Sequence, residues 1–321
     1  MITGARLMSR IFFSVDSHGS TAVWRKWIRA QRLYSADVLM LCGDLTGKLL
    51  VPLVKEKEGY YTDYFGGGRV VSEEEASRLE RTLEDSGIYT IRTTWDDVKE
   101  LQKRPEKVEE ILSELIVRRM DEWLGMLVRE VDTRSTKVLV MPGNDDIRAV
   151  DDVIRKYEDS GIIYPLDKTV EIDGFNIISY DYTNSTPWNT PREASDGKIK
   201  EDLEKKISKI SNTKRAIFNF HAPPYGTRLD LAPELDKSLK PIMDVGQPRF
   251  AHVGSRAIRE LILKYEPALG LHGHIHESSA ADKLGNTPIF NPGSEYEEGV
   301  LRGYVIEISS DGVEKYWRVE G

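Results

Sequence analysis

The sequence predicts an α/β fold in which buried strands alternate with amphipathic helices. Five apolar runs of four to six residues, rich in Val, Ile, Leu and Phe, each end in polar or glycine-rich residues, which is typical of buried strands. Amphipathic stretches lie between some of these runs, and this order indicates βαβ units with an open sheet. The predicted strands are Arg10–Val15, Val38–Cys42, Lys137–Met141, Arg215–Phe220 and Ala268–Leu271, and the predicted helices are Thr21–Leu33, Asp146–Asp159, Lys198–Ser211 and Gly254–Tyr265.

The segment of residues 49–136 interrupts this alternation. The three glycines Gly66–Gly68 mark a turn or a mobile loop, and Ser72 with Glu75 has the pattern of a helix capping box. We interpret the segment as a mostly helical insertion, made of a hairpin plus helices, within a single domain of residues 1–321. A lid, a partner surface and plain surface elaboration are open alternatives for its role. The predicted elements are a helix from Ser72 to about Asp85, a strand at Ile88–Thr94 and a charged helix at Pro105–Val131.

Aromatic residues precede the three glycines of this segment. They could cover a substrate base or ring, and packing within a hairpin explains them equally well. These residues are Tyr60, Tyr61, Tyr64 and Phe65.

Strands return at the C-terminal end of the sequence. Residues of β character fall into three runs, and a turn at Ser309–Gly312 separates the last two as in a hairpin. The predicted strands are Pro288–Asn291, Gly303–Ser309 and Val313–Val319.

The composition indicates a globular protein with an acidic charge balance. Hydrophobic residues make up 40% of the 321 residues and charged residues 31%, so a core can form beneath a charged surface. The net charge of −8 and the isoelectric point of about 5.5 argue against a broad nucleic-acid interface, although a local basic groove stays compatible with them.

The same sequence favours a cytoplasmic location. No apolar run approaches the roughly 20 residues that span a bilayer. Arg6 and Arg10 precede only the short run Ile11–Val15, which is too short for the core of a signal peptide. The single Cys42 excludes an intramolecular disulfide and a thiolate metal site.

Polar residues follow each of the five predicted strands. Most of these clusters are weak evidence alone, because Asp and Asn also cap helices and shape turns. The last cluster is stronger, since imidazoles two residues apart on an extended segment point the same way and suit a shared metal. In an open α/β sheet, ligands bind beyond the carboxyl ends of the strands. The clusters are Asp16-Ser17-His18, Gly43-Asp44, Gly143-Asn144-Asp145-Asp146, His221 and Gly273-His274-Ile275-His276.

Seven side chains of these clusters are candidate metal ligands. They offer oxygen and nitrogen but no sulfur, and they are too many for one tetrahedral ion. Carboxylate, amide and imidazole ligands favour Mn, Fe, Zn or Co over Ca, which prefers an all-oxygen shell. We therefore expect two divalent metal ions, with Mn favoured. The candidates are Asp16, His18, Asp44, Asn144, His221, His274 and His276.

Taken in order, the series DxH, GD, GN, H and GHxH resembles the calcineurin-like metallophosphoesterase superfamily. The resemblance covers about residues 10–295 but not the segment 49–136. It implies a two-sheet αββα sandwich. It also implies that one ion is held by Asp16, His18 and His276 and the second by Asn144, His221 and His274, with Asp44 bridging the two.

The resemblance further implies a metal-dependent phosphoric ester hydrolase. A water shared by the two ions would lose its proton near neutral pH and attack phosphorus as a hydroxide. The expected substrate is a small phosphate mono- or diester, with nucleotides and cyclic nucleotides as candidates, while the oligomeric state stays open. Two alternatives remain. The acidic charge disfavours a nuclease of the same superfamily, and the complete ligand set disfavours a non-catalytic metal-binding scaffold.

Position 145 departs from the pattern of the superfamily. The family commonly has a histidine after the Asn of the GN motif, where it stabilises the transition state or protonates the leaving oxygen, and here that residue is Asp145. A carboxylate repels phosphate unless it is protonated or paired, for instance with Arg148. The proton could come from Asp145, from His252 or from water, so Asp145 and His252 are candidate catalytic residues. His272 is expected to support the ligands and not to bind metal.

Overall fold

The computed structural model describes residues 8–64 and 66–321, so Arg6 and Phe65 lie outside the described residues. The helices are α1 (Thr21–Leu33), α2 (Glu73–Asp85), α3 (Trp95–Leu101), α4 (Pro105–Glu130), α5 (Ala149–Arg155), α6 (Asp196–Ile207) and α7 (Arg256–Tyr265). The strands are β1 (Ser9–Ser14), β2 (Val38–Cys42), β3 (Leu50–Glu56), β4 (Gly59–Thr62), β5 (Arg69–Val71), β6 (Tyr89–Thr93), β7 (Lys137–Met141), β8 (Ile162–Ile163), β9 (Val170–Ile172), β10 (Phe175–Tyr180), β11 (Ala216–Phe220), β12 (Leu231–Pro233), β13 (Met243–Asp244), β14 (Gln247–Pro248), β15 (Phe250–His252), β16 (Leu269–Leu271), β17 (Ala280–Leu284), β18 (Thr287–Asn291), β19 (Arg302–Ser309) and β20 (Gly312–Glu320). Within these two ranges, none of the helices combines the length and the apolar character that crossing a membrane requires.

Most of the strands build two six-stranded sheets. The first sheet has the order β20-β19-β1-β2-β7-β8, in which β1, β2, β7 and β8 are parallel and β19 runs antiparallel to β1. The second sheet has the order β17-β18-β16-β11-β10-β9, with β18, β16, β11 and β10 parallel. The five strands that the apolar runs predict are all central strands of these sheets, and the predicted C-terminal hairpin is β19–β20.

Helices cover the outer face of each sheet, and the two inner faces pack together. Side chains on a strand alternate between its faces, so Phe12 belongs to a core with α1, α4 and α5, whereas Phe13 belongs to the core between the sheets. Phe218 of the second sheet shares a third core with α6 and α7. Both faces of each sheet are buried, which explains why the strands read as continuous apolar runs. The expected αββα sandwich is confirmed.

The segment between β2 and β7 contains a sheet that the sequence analysis predicted only in part. Besides α2, α3 and α4 it forms a four-stranded sheet of order β5-β4-β3-β6, whereas a hairpin and the strand β6 were expected. Its last helix, α4, is also a helix of the central core, because Trp123 is buried and stacks on Trp24 at a ring distance of 4.7 Å. The Trp123 indole N–H donates to Thr21 Oγ1 (3.1 Å), so no polar group is left unpaired in this contact.

Capping residues set most helix boundaries. The Ser72–Glu75 capping box opens α2 as predicted. At the starts of α6 and α7, the Ser195 and Ser255 side chains accept a backbone N–H of the first turn. The predicted helix Asp146–Asp159 is shorter in the structure, where α5 begins at Ala149. The Asp146 carboxylate accepts the N–H groups of Leu45 and Thr46 in another loop, so it does not cap the start of this helix.

Candidate metal centre

Loops that follow strands of both sheets converge on one buried site. The Asp16 N–H donates to Gly43 O (3.1 Å), which joins two loops of the first sheet. The Gly273 N–H donates to His221 O (3.0 Å), which joins two loops of the second sheet. The His274 N–H then donates to Asp16 Oδ2 (2.9 Å) and links the two sheets. Backbone N–H groups, together with the Asp16 carboxylate, therefore hold the ligand loops against one another.

A first group of candidate ligands consists of Asp16, His18 and His276. One ligand atom from each lies within 4.8 Å of the others. The Nε2 atoms of His18 and His276 face each other at 3.0 Å. Asp16 Oδ1 is buried and has no hydrogen-bond partner among the described residues. Buried polar atoms normally have partners, so the facing nitrogens and the unpartnered oxygen fit a cation bound between them.

A second group consists of Asp44, His221 and His274, again with ligand atoms within 4.8 Å of one another. His221 Nε2 lies 3.3 Å from Asp44 Oδ2 and 3.0 Å from Asn144 Oδ1. The Asn144 amide donates to Thr190 Oγ1 (2.8 Å), so its oxygen is turned toward His221. Asn144 thus extends the second group, and Thr190 is a supporting residue that the sequence analysis did not identify.

The Asp44 carboxylate lies between the two groups. Its Oδ2 is 3.7 Å from His18 Nε2 on one side and 3.3 Å from His221 Nε2 on the other. Its Oδ1 accepts the Asp145 N–H (2.8 Å), which fixes the orientation of the carboxylate. All seven candidate ligands are therefore brought together, and these buried His and Asp clusters can hold metal ions.

Two glycines make room for this packing. Gly43 has a φ of +105°, and a Cβ there would lie 2.0 Å from His221 Nδ1. A Cβ on Gly143 would lie 2.3 Å from Asp44 Oδ1. The glycines before Asp44 and before Asn144 are therefore steric requirements. Four ligands also have left-handed backbone, a strain that is typical of functional sites: Asp16 (φ 54°), His18 (φ 39°), Asp44 (φ 38°) and His274 (φ 69°).

Burial controls the protonation of the ligands. Burial, together with neighbouring imidazoles, lowers the pKa of His18 and of His274 to about 3, so both are neutral and able to bind metal. Burial also acts to lower the pKa of His221, but the charge and hydrogen bond of Asp44 outweigh it and raise that pKa to about 9. Burial raises the pKa of Asp16 to about 6. Without a cation, His221 and Asp44 therefore form a buried ion pair.

Asp146 joins the GN loop to the GD loop. Its Oδ2 accepts the N–H groups of Gly143 (2.8 Å) and Leu45 (2.9 Å). Its Oδ1 accepts the N–H (2.9 Å) and the hydroxyl (2.6 Å) of Thr46. The carboxylate is fully buried and all its contacts are donors. Asp146 therefore positions the loops of Asp44 and Asn144.

A buried arginine supports the GN loop from the other side. The Arg192 guanidinium is fully buried and pairs with Asp151 (2.5 Å) and Asp181 (2.6 Å). Its backbone N–H donates to Asn144 O (3.2 Å). Neither Arg192 nor these two carboxylates stood out in the sequence.

The cation beside Asp145 is Lys48. The Lys48 Nζ lies 2.5 Å from Asp145 Oδ1. The sequence suggested Arg148 as the partner of Asp145, and this suggestion is wrong. The Arg148 guanidinium donates to the Tyr182 hydroxyl (2.5 Å) and lies over that ring. Burial raises the pKa of Asp145 from its usual value, and the charge of Asp44 acts in the same direction.

The two remaining histidines have different surroundings. His252, at the end of β15, lies with Nδ1 2.8 Å from Asp230 Oδ1, and its side chain is 39% exposed. It belongs to neither of these two ligand groups, nor to the cluster that His18 and Asp44 form with Asp145. His272 is buried, and its Nδ1 lies 2.9 Å from the carbonyls of Phe220 and Ala222, to which it must donate. His272 therefore holds the backbone on both sides of His221.

A cavity of about 610 Å³ opens beside His18 and His276. Lys48 and Asp145 lie on its wall, and so does the turn before β6. The complete lining is His18, Gly47, Lys48, Leu49, Tyr64, Ser86, Gly87, Ile88, Asp145, His276, Tyr296, Glu297 and Glu298. Its walls thus come both from the loops of the sandwich and from residues 49–136.

The sequence comparisons find a partial relative. No protein-family model matches the chain. An uncharacterized protein of Methanocaldococcus jannaschii is 34% identical over 159 residues, which cover 49% of this chain and 63% of that protein. The match therefore spans less than two thirds of the relative.

Two crystal structures align with nearly the whole chain. The protein TT1561 of Thermus thermophilus is 13% identical, with a TM-score of 0.52 over 98% of this chain and 99% of its own. Another crystal structure is 16% identical, with a TM-score of 0.55 over the same shares. At these identities the similarity shows a common fold, and the function has to be argued from the site.

Proposed function

We propose that this protein is a metal-dependent phosphoesterase that hydrolyses a small phosphate mono- or diester. One observation carries the proposal: six candidate oxygen and nitrogen ligands from both sheets converge around the carboxylate of Asp44, next to a cavity. The donor set lacks sulfur and fits Mn, Fe, Zn or Co, with Mn favoured.

The residues divide between two cation sites. Asp16, His18 and His276 would hold one cation, and Asn144, His221 and His274 would hold the other, with Asp44 between them. A pair of divalent cations bound there would lower the pKa of a shared water and neutralise charge on the phosphoryl group. The chain supplies neutral imidazoles at His18 and His274, so those ligands need not lose a proton first.

The surrounding residues preorganise the ligands. Thr190 orients the Asn144 oxygen, and the Asp145 N–H holds the Asp44 carboxylate. Asp146 keeps the two loops at a fixed separation. Ligands fixed in this way reorganise little during a reaction, which is a main source of electrostatic catalysis.

The cavity supports a small ester as the substrate. Its volume of about 610 Å³ is in the range of small-molecule sites. Residues 49–136, which we propose to be an insertion in one domain, line it through Leu49, Tyr64 and the Ser86–Ile88 turn. Glu297 and Glu298 add negative charge to the rim, which disfavours a long polyanion such as a nucleic acid.

Turnover with and without metal tests the proposal. The purified protein is stripped with chelator, reloaded with Mn²⁺ and assayed with p-nitrophenyl phosphate, bis-p-nitrophenyl phosphate and a nucleotide panel. We expect metal-dependent turnover, and Asp44→Asn should reduce it by at least about 100-fold. Asp96→Asn is the matched control, because that carboxylate is 95% exposed on α3. Two bound equivalents of metal without turnover of any substrate would contradict the proposal and favour a metal-binding scaffold.

A further inference from the structure

Lys48 is a basic side chain in the wall of the cavity. Among the described residues that line the cavity, no other lysine or arginine is present. Its side chain is 50% exposed, whereas that of its partner Asp145 is only 19% exposed. An ion pair whose lysine is half exposed to solvent contributes little to stability. The position of this pair is therefore better explained by what its ammonium group can contact in the cavity.

The backbone of Lys48 is fixed by its neighbours. The N–H groups of Leu45 and Thr46 are bound by Asp146. Gly47 packs so closely that a Cβ there would lie 2.1 Å from Gly87 O. The backbone next to Lys48 is thereby held between the loop of Asp44 and the turn before β6. The other end of the side chain, Nζ, is held by Asp145.

Asp145 fixes the direction of the ammonium group. Its backbone N–H binds Asp44 Oδ1 (2.8 Å), and its carboxylate binds Lys48 Nζ (2.5 Å). Asp145 therefore contacts both the Lys48 ammonium group and the Asp44 carboxylate, which lies between the two ligand groups. Without Lys48, the Asp145 carboxylate would repel a phosphate ester, so the lysine also offsets that repulsion.

We propose that Lys48 donates a hydrogen bond to the leaving-group oxygen of the phosphate ester and offsets its developing negative charge. This inference rests on the proposed function. A phosphoryl group placed against the two ligand groups directs the rest of the ester into the cavity, and Lys48 lies on that side. Asp145 then acts as the positioning residue for Lys48. The substrate class favoured by such a contact is an ester of a poor leaving group, such as a sugar or alkyl alcohol.

The test compares Lys48→Ala and Lys48→Arg with the wild type on p-nitrophenyl, phenyl and alkyl phosphates, in order of increasing leaving-group pKa. If Lys48 contacts the leaving oxygen, the loss of kcat/KM in Lys48→Ala grows along the series, from about tenfold to about 10³-fold. Lys48→Arg should recover part of the loss. Lys168→Ala is the matched control, since Lys168 is also paired and is 51% exposed but does not line the cavity.

The outcomes separate this inference from the proposed function. An equal loss on all substrates, no loss, or loss of bound metal in Lys48→Ala would overturn the leaving-group contact. Wild-type turnover would uphold the phosphoesterase in each of those cases. An inactive wild type would overturn both proposals.

Discussion

The Asn144 side chain is held by Thr190, whose Oγ1 accepts the Asn144 amide at 2.8 Å while the Asn144 oxygen lies 3.0 Å from His221 Nε2. Thr190 Oγ1 in turn donates to Glu193 Oε1 (2.8 Å), which leaves its lone pairs for Asn144. These hydrogen bonds orient the Asn144 amide so that its oxygen, and not its nitrogen, faces the ligand groups. Amide ligands bind cations through oxygen. Thr190, together with a longer contact from the Asn144 amide to Asp145 Oδ1 (3.4 Å), therefore favours the orientation in which Asn144 can serve as a ligand.

Thr190→Val should weaken metal binding without unfolding the protein. Valine keeps the shape but cannot accept the amide hydrogen bond, so Asn144 can rotate its N–H groups toward the site. We expect the affinity for one of two Mn²⁺ equivalents to fall about 10–100-fold, as measured by calorimetry. Thr213→Val is the control, because it also removes a hydroxyl that forms a hydrogen bond, here to Tyr265 O (3.0 Å) and not to a candidate ligand. Equal affinities in both variants would contradict a role of Thr190 in orienting Asn144.

Asp146→Asn should destabilise the fold by about 2–4 kcal/mol. The carboxylate accepts four hydrogen bonds in a buried place, and an amide N–H₂ in place of one oxygen would face two donors. Urea denaturation gives the free energy of unfolding. Asp152→Asn, on α5 with a side chain 86% exposed, should change it by less than about 0.5 kcal/mol. If Asp146→Asn also changed the free energy of unfolding by less than about 0.5 kcal/mol, the two loops would not depend on this carboxylate.

The convergence of the candidate ligands could be predicted from the sequence because each of them follows a buried strand. The end of an apolar run locates a residue at the edge of a sheet, and His274 and His276 share a strand-like spacing in addition. Lys48 and Thr190 could not be predicted in this way, because their contacts depend on loop paths through space and no local pattern records them. Asp146 was visible only as the last residue of GNDD, where a turn or helix start explains it equally well.

The sequence predicts the strands whose two faces are both buried. β2 and β7 have purely apolar sequences except for Lys137, and their predicted bounds are those of the structure. The strands β3, β4 and β5 were predicted only as a hairpin, because they mix apolar residues with Lys, Glu, Tyr and Gly, and β5 has only three residues. Short half-exposed strands are defined by their pairing partners more than by their own composition.

Metal affinity should rise with pH up to about pH 9. His221 has a raised pKa of about 9 in the metal-free protein, so below that pH it must release a proton before it can bind a cation. The apparent affinity of the site should therefore fall by about tenfold for each pH unit below 9. Below about pH 6 Asp16 also takes up a proton, and the decline should become steeper. Mn²⁺ titrations from pH 5.5 to pH 9.5 measure this slope, and an affinity independent of pH would contradict the His221–Asp44 ion pair.

Trp123→Ala should cost about 3–5 kcal/mol of the free energy of unfolding, because the indole is buried, stacks on Trp24 and donates to Thr21. This variant tests whether α4, although it lies in the segment 49–136, is a core helix of the sandwich. Trp95→Ala is the control, since that ring is 41% exposed on α3 and should cost only about 1 kcal/mol. Urea denaturation followed by circular dichroism gives both values. If both variants lost equally little free energy of unfolding, α4 would lie outside the cooperative core. The expected difference instead means that the segment 49–136 cannot open as a whole without unfolding the helical layer that contains α1.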